Sequence, residues 1–282
     1  MLETIYIARH GFRQNWVNDF WKSPTDTPRD PPLASYGEKQ AKELANYIAS
    51  LPEDEKPTAI FSSPFYRCIQ TAAPIAQSLD KPLYIENGLS EWFSPVVPGT
   101  GLHPKPPAAP VLSSLFPSYN IDPEIQWSPT YIPTRLGETI TQLHERCREF
   151  LRAFIPRVGG ELKVRNHDQV VPSGHRHVLL ITHAATAIAL TRALVGDDTL
   201  SMRVACCSLT ILKKLKTGNG SSWDIIQLAQ GDFLVGGLER DWGFEDVVLN
   251  GNEVILDKGE PGTENDVQQK VGPQNILPHS KI

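Results

Sequence analysis

The chain has 282 residues, of which 40% are hydrophobic and 21% charged, and this balance is typical of a globular protein with a sizeable core. Its formal net charge of -5 argues against a protein that binds nucleic acid directly through its own positive charge. No apolar run approaches the length of a bilayer span, and a buried strand begins within five residues of the first Met, so we expect neither a membrane partner nor a signal peptide. The four cysteines show no metal-type spacing, so we expect a reduced protein of the cytoplasm or the nucleus.

The first predicted element is a buried strand that ends in a reactive tripeptide. Thr4 to Ala8 is a short apolar and β-branched run, as expected of a central strand covered on both faces. Arg9, His10 and Gly11 follow at its carboxyl end, where open α/β sheets bind ligands. A guanidinium binds two oxygens of an oxyanion, and a neutral imidazole is a potential nucleophile. Alone, the tripeptide also fits an arginine in a surface ion pair and a histidine bonded to the backbone.

The next elements bring a second arginine towards the same region. A polar loop from Lys22 to Pro32 precedes an amphipathic helix within PLASYGEKQAKELANYIASL, and a second buried strand is predicted at Thr58 to Phe61. A helix then follows within SSPFYRCIQTAAPIAQSL, with Ser62 or Ser63 expected as its N-cap. Arg67 lies in its first turn, where the helix dipole favours a bound anion.

The region after this helix contains a third strand and a long insert. The strand is predicted at about Leu83 to Glu86, and Glu91 lies in the loop that follows it. Residues 94–135 contain ten of the 24 prolines and show almost no periodicity. Such a segment is too long for a plain connector, so we expect a lid or a binding insert.

The second half of the chain repeats the opening pattern. A helix is predicted within GETITQLHERCREFLRAF, and residues 159–177 are expected to form a variable polar loop. Val178 to Thr182 is a buried strand with His183 at its exit, and an apolar helix follows. Two more strands are joined by a TGNGSS hairpin, and the chain then turns polar. We therefore predict one α/β domain over residues 1–258 and a loosely attached polar tail at 259–282.

Charged and nucleophilic side chains are expected to meet at one edge of the sheet. Parallel strands share their carboxyl ends, so residues that follow different strands lie close together there. Positive groups around a histidine, with one carboxylic acid nearby, suit phosphoryl transfer through a phosphohistidine. The expected site comprises Arg9, His10, Arg13, Arg67, Glu91 and His183.

At these residues the chain resembles the histidine phosphatase superfamily, in its phosphoglycerate-mutase-like branch. ARHGFR is similar to the family signature, PLASYGEKQAKELA to its first-helix motif, SSPFYRCIQTA to its second arginine motif, and THAA to its second histidine motif. The resemblance spans roughly residues 1–215 and implies a three-layer fold, with a mostly parallel sheet and helices on both faces. Within the superfamily the chain looks similar to the phosphatase domain of the fungal tau subunit of the RNA polymerase III initiation complex and its stand-alone fungal relatives, and more distantly to the STS/TULA phosphatases.

The resemblance implies a role for each candidate residue. His10 would attack phosphorus in line and carry the phosphoryl group, which requires a neutral imidazole. The phosphate oxygens would be bound by Arg9, Arg13, Arg67 and His183. Glu91 would protonate the leaving oxygen and then deprotonate the water that cleaves the phosphohistidine. No metal or other cofactor is implied, because the arginines supply the positive charge.

Several nearby residues compete for these roles. Glu86 is an alternative to Glu91 as the general acid, because the two carboxylates lie close together in the sequence. His167 and Asp168 resemble the pair used by acid phosphatases of another branch, but they lie in a polar loop rather than at a strand exit. A metal site at His175 and His177 is discarded, because no carboxylate or thiol cluster accompanies them.

Two functions of different classes fit the sequence. The first is a phosphomonoesterase that acts on a phosphorylated small molecule or a phosphoprotein, and it is favoured because every required group is present. The second is a subunit or scaffold that assembles with transcription-complex subunits, in which catalysis is incidental. Four aromatic residues are candidates for an aromatic mouth of the site, which would suit an aryl phosphate or phosphotyrosine; they are equally compatible with a place in the core. They are Phe12, Trp16, Trp92 and Phe93.

Overall fold

The computed structural model describes residues 2–160, 164–166, 169–171, 174–215, 223–250, 253–267 and 270–274. The strands are β1 (Thr4–Arg9), β2 (Ala59–Ser62), β3 (Leu83–Ile85), β4 (Tyr131–Ile132), β5 (Val164–Asn166), β6 (Gln169–Val171), β7 (His177–Thr182), β8 (Leu209–Lys214), β9 (Trp223–Gln230), β10 (Leu249–Asn250), β11 (Glu253–Val254) and β12 (Gly272–Pro273). The helices are α1 (Ser35–Ser50), α2 (Tyr66–Ser78), α3 (Ala109–Leu115), α4 (Ile140–Gly160) and α5 (Ala184–Val195). No helix within these ranges is long and apolar enough to cross a membrane.

The central sheet has six strands in the order β3-β2-β7-β1-β8-β9. Strands β3, β2, β7 and β1 run parallel to one another, whereas β8 is antiparallel to both β1 and β9. Every residue of β1 and β7 is buried, as expected of neighbouring strands whose apolar runs are covered on both faces. The predicted mostly parallel α/β sheet is therefore confirmed.

Alternate residues of the central strand face two different hydrophobic cores. Ile5 and Ile7 of β1 lie in a cluster with residues of α4 and α5, whereas Tyr6 and Ala8 lie in a second cluster with residues of α1 and α2. Helices thus cover both faces of the sheet, which gives the predicted three layers. Because the faces are occupied, the carboxyl ends of the strands are the part of the sheet left for a ligand.

The start of α2 differs from the prediction. Its N-cap residue is Phe65, whose side chain makes no capping hydrogen bond, so the expectation that Ser62 or Ser63 is the cap was wrong. The Ser63 hydroxyl lies 2.8 Å from Nε2 of His183, and Oγ of Ser62 donates to the Ser63 carbonyl. Oγ of Ser63 also accepts from the amide of Phe65 at 3.4 Å, the residue that precedes the helix.

The loops of the second half contain more regular structure than the sequence predicts. Helix α4 continues to Gly160, and β5 and β6 form a short antiparallel pair within the predicted variable loop. The insert at residues 94–135 is mostly irregular, but it contains α3 and β4. His167, Asp168 and the TGNGSS link lie outside the described residues, although β8 and β9 on either side of that link form the predicted antiparallel pair.

The C-terminal segment packs against the domain. We call residues 257–267 and 270–274 the strap. Arg29 forms ion pairs with Asp257 at 2.8 Å and Glu260 at 2.6 Å, and the amide of Glu260 donates to the carbonyl of Leu102. Strand β12 pairs with β4 of the insert. The tail was predicted at residues 259–282 as loosely attached, and this was wrong for residues 259–267 and 270–274, because Glu260 and Asp266 form ion pairs with arginines of two distant loops.

Candidate active site

Two histidines leave adjacent strands at the carboxyl edge of the sheet. His10 follows β1 and His183 follows β7, and the parallel register places Arg9 beside Thr182. The two imidazole centroids are 5.4 Å apart, and both side chains are buried. The sequence repeat of strand and exit histidine therefore produces a pair of neighbouring rings.

The His10 imidazole is held in one tautomer. Its Nδ1 lies 2.8 Å from the carbonyl oxygen of Gly11, so that nitrogen donates the proton and Nε2 retains a free lone pair. Gly11 permits this close turn, because a Cβ there would lie 2.7 Å from the carbonyl oxygen of Gly37. Burial, reinforced by the charges of Arg67 and Arg9, holds the pKa of His10 well below its ordinary value. The ring is therefore neutral and has the lone pair of a nucleophile.

Arg67 connects the carboxylates of two different loops. It lies in the first turn of α2 and is 1% exposed. Its Nη1 donates to Oδ1 of Asp30 at 2.9 Å, and its Nη2 donates to Oε2 of Glu91 at 3.2 Å. Asp30 also accepts from the amide of Tyr66 at 2.7 Å, at the start of the same helix. These contacts fix the direction of the guanidinium.

Asp30 was missed by the sequence analysis. It lies in the loop predicted at residues 22–32, where the only available signal was a carboxylate close to a candidate anion site. The side chain is 0% exposed and pairs with a guanidinium that is 1% exposed. Its role depends on a long-range contact between residues 37 positions apart, which no local pattern reports.

Loss of the Asp30 carboxylate should disturb both folding and the site. We expect Asp30→Asn to lower the free energy of unfolding by about 3–5 kcal/mol, because it leaves the buried charge of Arg67 partly uncompensated. Urea unfolding measures this effect, and kcat/KM of the soluble fraction reports the orientation of the guanidinium. Glu53→Gln is the matched control, since Glu53 pairs with Lys56 at the surface and should contribute less than about 1 kcal/mol. Equal losses in the two variants would contradict the role of Asp30.

His183 and Glu91 form the second half of the centre. Nδ1 of His183 lies 3.2 Å from Oε2 of Glu91, and Ser63 lies at the opposite nitrogen. The arrangement is satisfied if Ser63 donates to Nε2 and Nδ1 donates to the carboxylate. Burial lowers the pKa of His183 to about 4. Burial alone would raise the pKa of Glu91, but His183 and Arg67 outweigh it and hold that pKa below its usual value.

Arg9 and Arg13 both lie close to Trp16, whose ring centroid is 6.4 Å from that of His10, and each has a donor that lacks a partner. Arg9 donates through Nη1 to the carbonyl of Val204 at 2.8 Å, while its Nε is buried and unbonded. Arg13 stacks on Trp16 at 4.2 Å from the ring centroid, and its Nε is also buried and unbonded. Burial and the nearby charge of Arg67 lower the pKa of Arg13 to about 10. Neither Arg9 nor Arg13 forms an ion pair among the described residues, so both retain capacity for an anion.

Glu86 serves the fold rather than this centre. Its buried carboxylate accepts hydrogen bonds from the amides of Gly88, Thr130 and Tyr131 and from Nε1 of Trp127. Burial raises its pKa, and the hydrogen bonds from the backbone amides of Gly88, Thr130 and Tyr131 oppose that rise. The carboxylate therefore anchors the insert to β3, and of the two rival acids it is Glu91 that lies with the histidines.

A cavity of about 840 Å³ begins beside Glu91. Phe65 and Phe93 line it, and Phe93 stacks on His103 at a centroid distance of 4.5 Å. The loop at residues 25–28, prolines of the insert and the strap form its other walls. Of the predicted aromatic mouth, Trp92 belongs to the core instead, because its ring packs near Trp242 and Phe244 and its Nε1 donates to the carbonyl of Glu138.

The centre also contains three potential metal-ligand atoms. One donor atom each from His10, Glu91 and His183 lies within 4.8 Å of the others. The guanidinium of Arg67, however, lies 3.2 Å from both the Glu91 oxygen and Nδ1 of His183. A second cation among these atoms would face that charge, so the charges here suit an anion better. His175 and His177 lie at the opposite end of the sheet, at the start of β7.

The buried histidines predict an acid-sensitive fold. Burial lowers the pKa of every histidine in the described ranges, to about 4 for His175 and His183. Such a histidine stays neutral when folded but takes up a proton when unfolded, so stability is lost as the pH falls below the unfolded value of 6.5. We expect the free energy of unfolding to decrease down to about pH 4, by up to about 1.4 kcal/mol per pH unit for each histidine.

Urea unfolding at pH values from about 7.5 to about 5 measures this slope. A His175→Gln variant lacks one of the titrating groups and should show a shallower slope. A free energy of unfolding that stays constant over this pH range in the wild type would contradict the prediction.

Comparison with known protein families gives a match over most of the chain. The sequence profile described as "Histidine phosphatase superfamily (branch 1)" matches residues 5–224. The chain belongs to this superfamily. The match includes residues 5–9 of β1 and all of α2, β7 and β8, and therefore every residue of the candidate centre. The strap lies beyond the matched residues.

Individual relatives support the assignment. The chain is 36% identical over 287 aligned positions to the transcription factor tau 55 kDa subunit of Saccharomyces cerevisiae, covering 92% of this chain and 62% of that protein. Two solved structures share the fold. The ecdysone phosphate phosphatase from Bombix mori has a TM-score of 0.55 and 18% sequence identity, and the match covers 80% of this chain and 92% of that protein. A putative alpha-ribazole-5'-P phosphatase from Escherichia coli has a TM-score of 0.50 and 17% sequence identity, and the match covers 82% of this chain and 97% of that protein.

Proposed function

We propose that this protein is a metal-independent phosphomonoesterase that acts through a phosphohistidine on His10. The observation that carries the proposal is the free lone pair on Nε2 of a buried, neutral imidazole. The ring lies beside His183, and a donor atom of each histidine and of Glu91 lies within 4.8 Å of the others. Arg9 and Arg13, whose charges act on the same ring, have buried Nε donors without a partner. A phosphoryl group is the ligand that uses all of these groups together.

In the first step Nε2 of His10 attacks phosphorus while the bond from phosphorus to the leaving oxygen breaks. The negative charge on the phosphoryl oxygens is stabilised by Arg9, Arg13, Arg67 and His183. These donors are fixed before substrate arrives, so little reorganisation is needed as charge develops. The proton needed by the leaving oxygen comes from Glu91.

In the second step a water molecule attacks phosphorus and the bond from phosphorus to His10 breaks. Glu91, now a carboxylate, takes the proton of that water, and His10 returns to its neutral form. The pKa of Glu91 is low in the free protein because of its cationic neighbours. A bound phosphate adds negative charge that offsets Arg67 and Arg13, and so raises the pKa of the acid when substrate is present.

We further propose that the leaving group occupies the cavity beside Glu91. The cavity starts at the residue that must reach the leaving oxygen, and Phe65 and Phe93 give it an aromatic wall. A volume of about 840 Å³ accommodates a drug-sized organic group. As a substrate, an aryl phosphate or phosphotyrosine is therefore favoured over a very small phosphate ester.

The proposal is tested with para-nitrophenyl phosphate in the presence of EDTA. We expect hydrolysis without added metal, and a rapid acid-free quench should trap a phosphorylated peptide that contains His10, detected by mass spectrometry. No hydrolysis by folded protein at any pH from about 4 to about 8 would overturn the proposal. Labelling at another residue, or loss of activity with EDTA, would overturn the mechanism.

A second candidate function rests on the similarity to the yeast tau subunit. That protein is named as part of a transcription factor, and this chain spans 62% of its length at 36% identity. We propose as the alternative that the chain is a nuclear subunit or scaffold of such an assembly. Affinity purification of the tagged protein from its own cells separates the two: stoichiometric recovery of transcription-factor subunits favours the scaffold, and recovery of the protein alone favours the enzyme.

A further inference from the structure

Arg29 lies where three segments of the chain meet. Its side chain forms ion pairs with Asp257 and Glu260 of the strap, and its Nη2 donates to the carbonyl of Gly259 at 3.3 Å. The strap in turn binds the insert: the amide of Glu260 donates to the carbonyl of Leu102, and the amide of Leu102 donates to Oγ1 of Thr263. These three segments are also the walls of the cavity. One guanidinium therefore connects the loop at residues 22–32, the strap and, through the strap, the insert.

The backbone of Arg29 is held in an unusual conformation. Its φ of 57° lies in the left-handed region, which is unfavourable for a residue other than glycine. The conformation is maintained by contacts on both sides. The side chain is fixed by the strap, and the carbonyl oxygen accepts a hydrogen bond from Nη1 of Arg67 at 3.4 Å.

The residue next to this turn touches the phosphate-binding group directly. Asp30 accepts from the same Nη1 of Arg67 at 2.9 Å. Because Arg29 and Asp30 share a peptide bond, the conformation of Arg29 constrains where the Asp30 carboxylate lies, together with the amide of Tyr66. The path from strap to site is short and continuous: strap carboxylates, Arg29, Asp30, Arg67. Each step in it is an ion pair, a hydrogen bond or a peptide bond.

We propose that Arg29 is a positioning residue that couples docking of the strap to phosphate binding by Arg67. When Asp257 and Glu260 hold Arg29, the turn at residues 29–30 directs the Asp30 carboxylate onto the guanidinium of Arg67. When that clamp is lost, the turn relaxes and Arg67 loses its fixed direction. The inference rests on the proposed function for its substrate, but its first consequence is binding of a phosphate ion.

The clamp is partly exposed, so it should respond to salt. The side chains of Arg29, Asp257 and Glu260 are 34%, 28% and 22% exposed. Ion pairs at such positions weaken as the ionic strength rises. We therefore expect phosphate affinity to fall more steeply with salt in the wild type than in a variant without the clamp.

The test is a mutant cycle read out by calorimetric titration with inorganic phosphate. We expect Arg29→Met to weaken phosphate binding by about tenfold, and the double variant Asp257→Asn/Glu260→Gln, which changes only the strap, to weaken it by a similar factor. Combining all three substitutions should add little, because they remove the same interaction. Arg29→Lys should bind phosphate more tightly than Arg29→Met, because the lysine ammonium keeps the positive charge but cannot form the paired hydrogen bonds of a guanidinium.

Asp266→Asn is the matched control. It removes a different ion pair of the strap, between Arg135 and Asp266, that does not touch Arg29. We expect its phosphate affinity to stay within about twofold of the wild type. Urea midpoints of all variants show whether any loss follows from global unfolding.

Several outcomes would overturn the coupling. One is wild-type phosphate affinity in folded Arg29→Met. Another is an additive loss in the triple variant, and a third is an equal loss in Asp266→Asn. Phosphate binding that shows the expected cycle without ester hydrolysis would instead refute the proposed function and leave the coupling intact.

Discussion

Replacement of His10 by glutamine is expected to lower kcat for para-nitrophenyl phosphate by about four to six orders of magnitude, as removal of a covalent nucleophile does in other enzymes. The neutral imidazole is the one group in the centre whose free nitrogen can form a bond to phosphorus. Glutamine keeps the length of the side chain but offers an amide nitrogen without a nucleophilic lone pair. The trapped phosphohistidine should disappear together with the activity.

The control for this variant is His175→Gln. His175 is also a buried histidine with a lowered pKa, but it bonds to Thr58 at the far end of the sheet. At about pH 7.5 its kcat should remain within about twofold of the wild type. Residual activity of His10→Gln above about one per cent would mean that another nucleophile, such as water, attacks phosphorus directly.

The core of the site could be predicted because it follows from the strands. The runs before Arg9 and His183 are apolar without a break, so their place in a buried parallel sheet is determined by the hydrophobic effect. Once those strands are neighbours, the exit residues must be neighbours too. Arg67 joins these residues because it lies in the first turn of α2, the helix that follows β2, and β2 is the neighbour of β7 in the sheet.

Asp30, Ser63 and the strap could not be predicted in the same way. Asp30 lies in a polar loop, and its position is decided by a guanidinium 37 residues away. Ser63 stands where a helix cap is common, so local rules favoured the wrong partner over His183. The strap is polar and aperiodic, and its attachment depends on Arg29, more than 200 positions earlier in the chain. Periodicity reports burial, but it does not report pairing of charges across loops.

The two rival carboxylates show the same limit. Glu86 and Glu91 are five positions apart and both follow β3. The backbone amides of Thr130 and Tyr131 bind the first, which commits it to the insert. Only the second remains free to face Arg67 and His183. Which one is the acid is thus decided by the course of the insert, a segment with almost no sequence pattern.

Glu91→Gln should produce a loss that depends on the leaving group. For an alkyl ester such as glycerol 2-phosphate we expect kcat/KM to fall by about 10²–10³, because the alkoxide cannot leave without a proton. For para-nitrophenyl phosphate the loss should be about tenfold or less, since nitrophenolate is a stable anion. Glutamine is close in shape to glutamate and can still accept from Arg67, so the comparison isolates the proton.

The second step gives an independent measurement of the same residue. Water that cleaves the phosphohistidine needs a base, so in Glu91→Gln dephosphorylation should become slower than phosphorylation with the nitrophenyl ester. A burst of one nitrophenol per protein, followed by slow turnover, and a higher fraction of trapped phosphohistidine are therefore expected. Glu86→Gln is the matched control: it should lower stability but show no burst, because its carboxylate faces the insert. Equal losses with both substrates and no burst in Glu91→Gln would assign the proton transfer to another group.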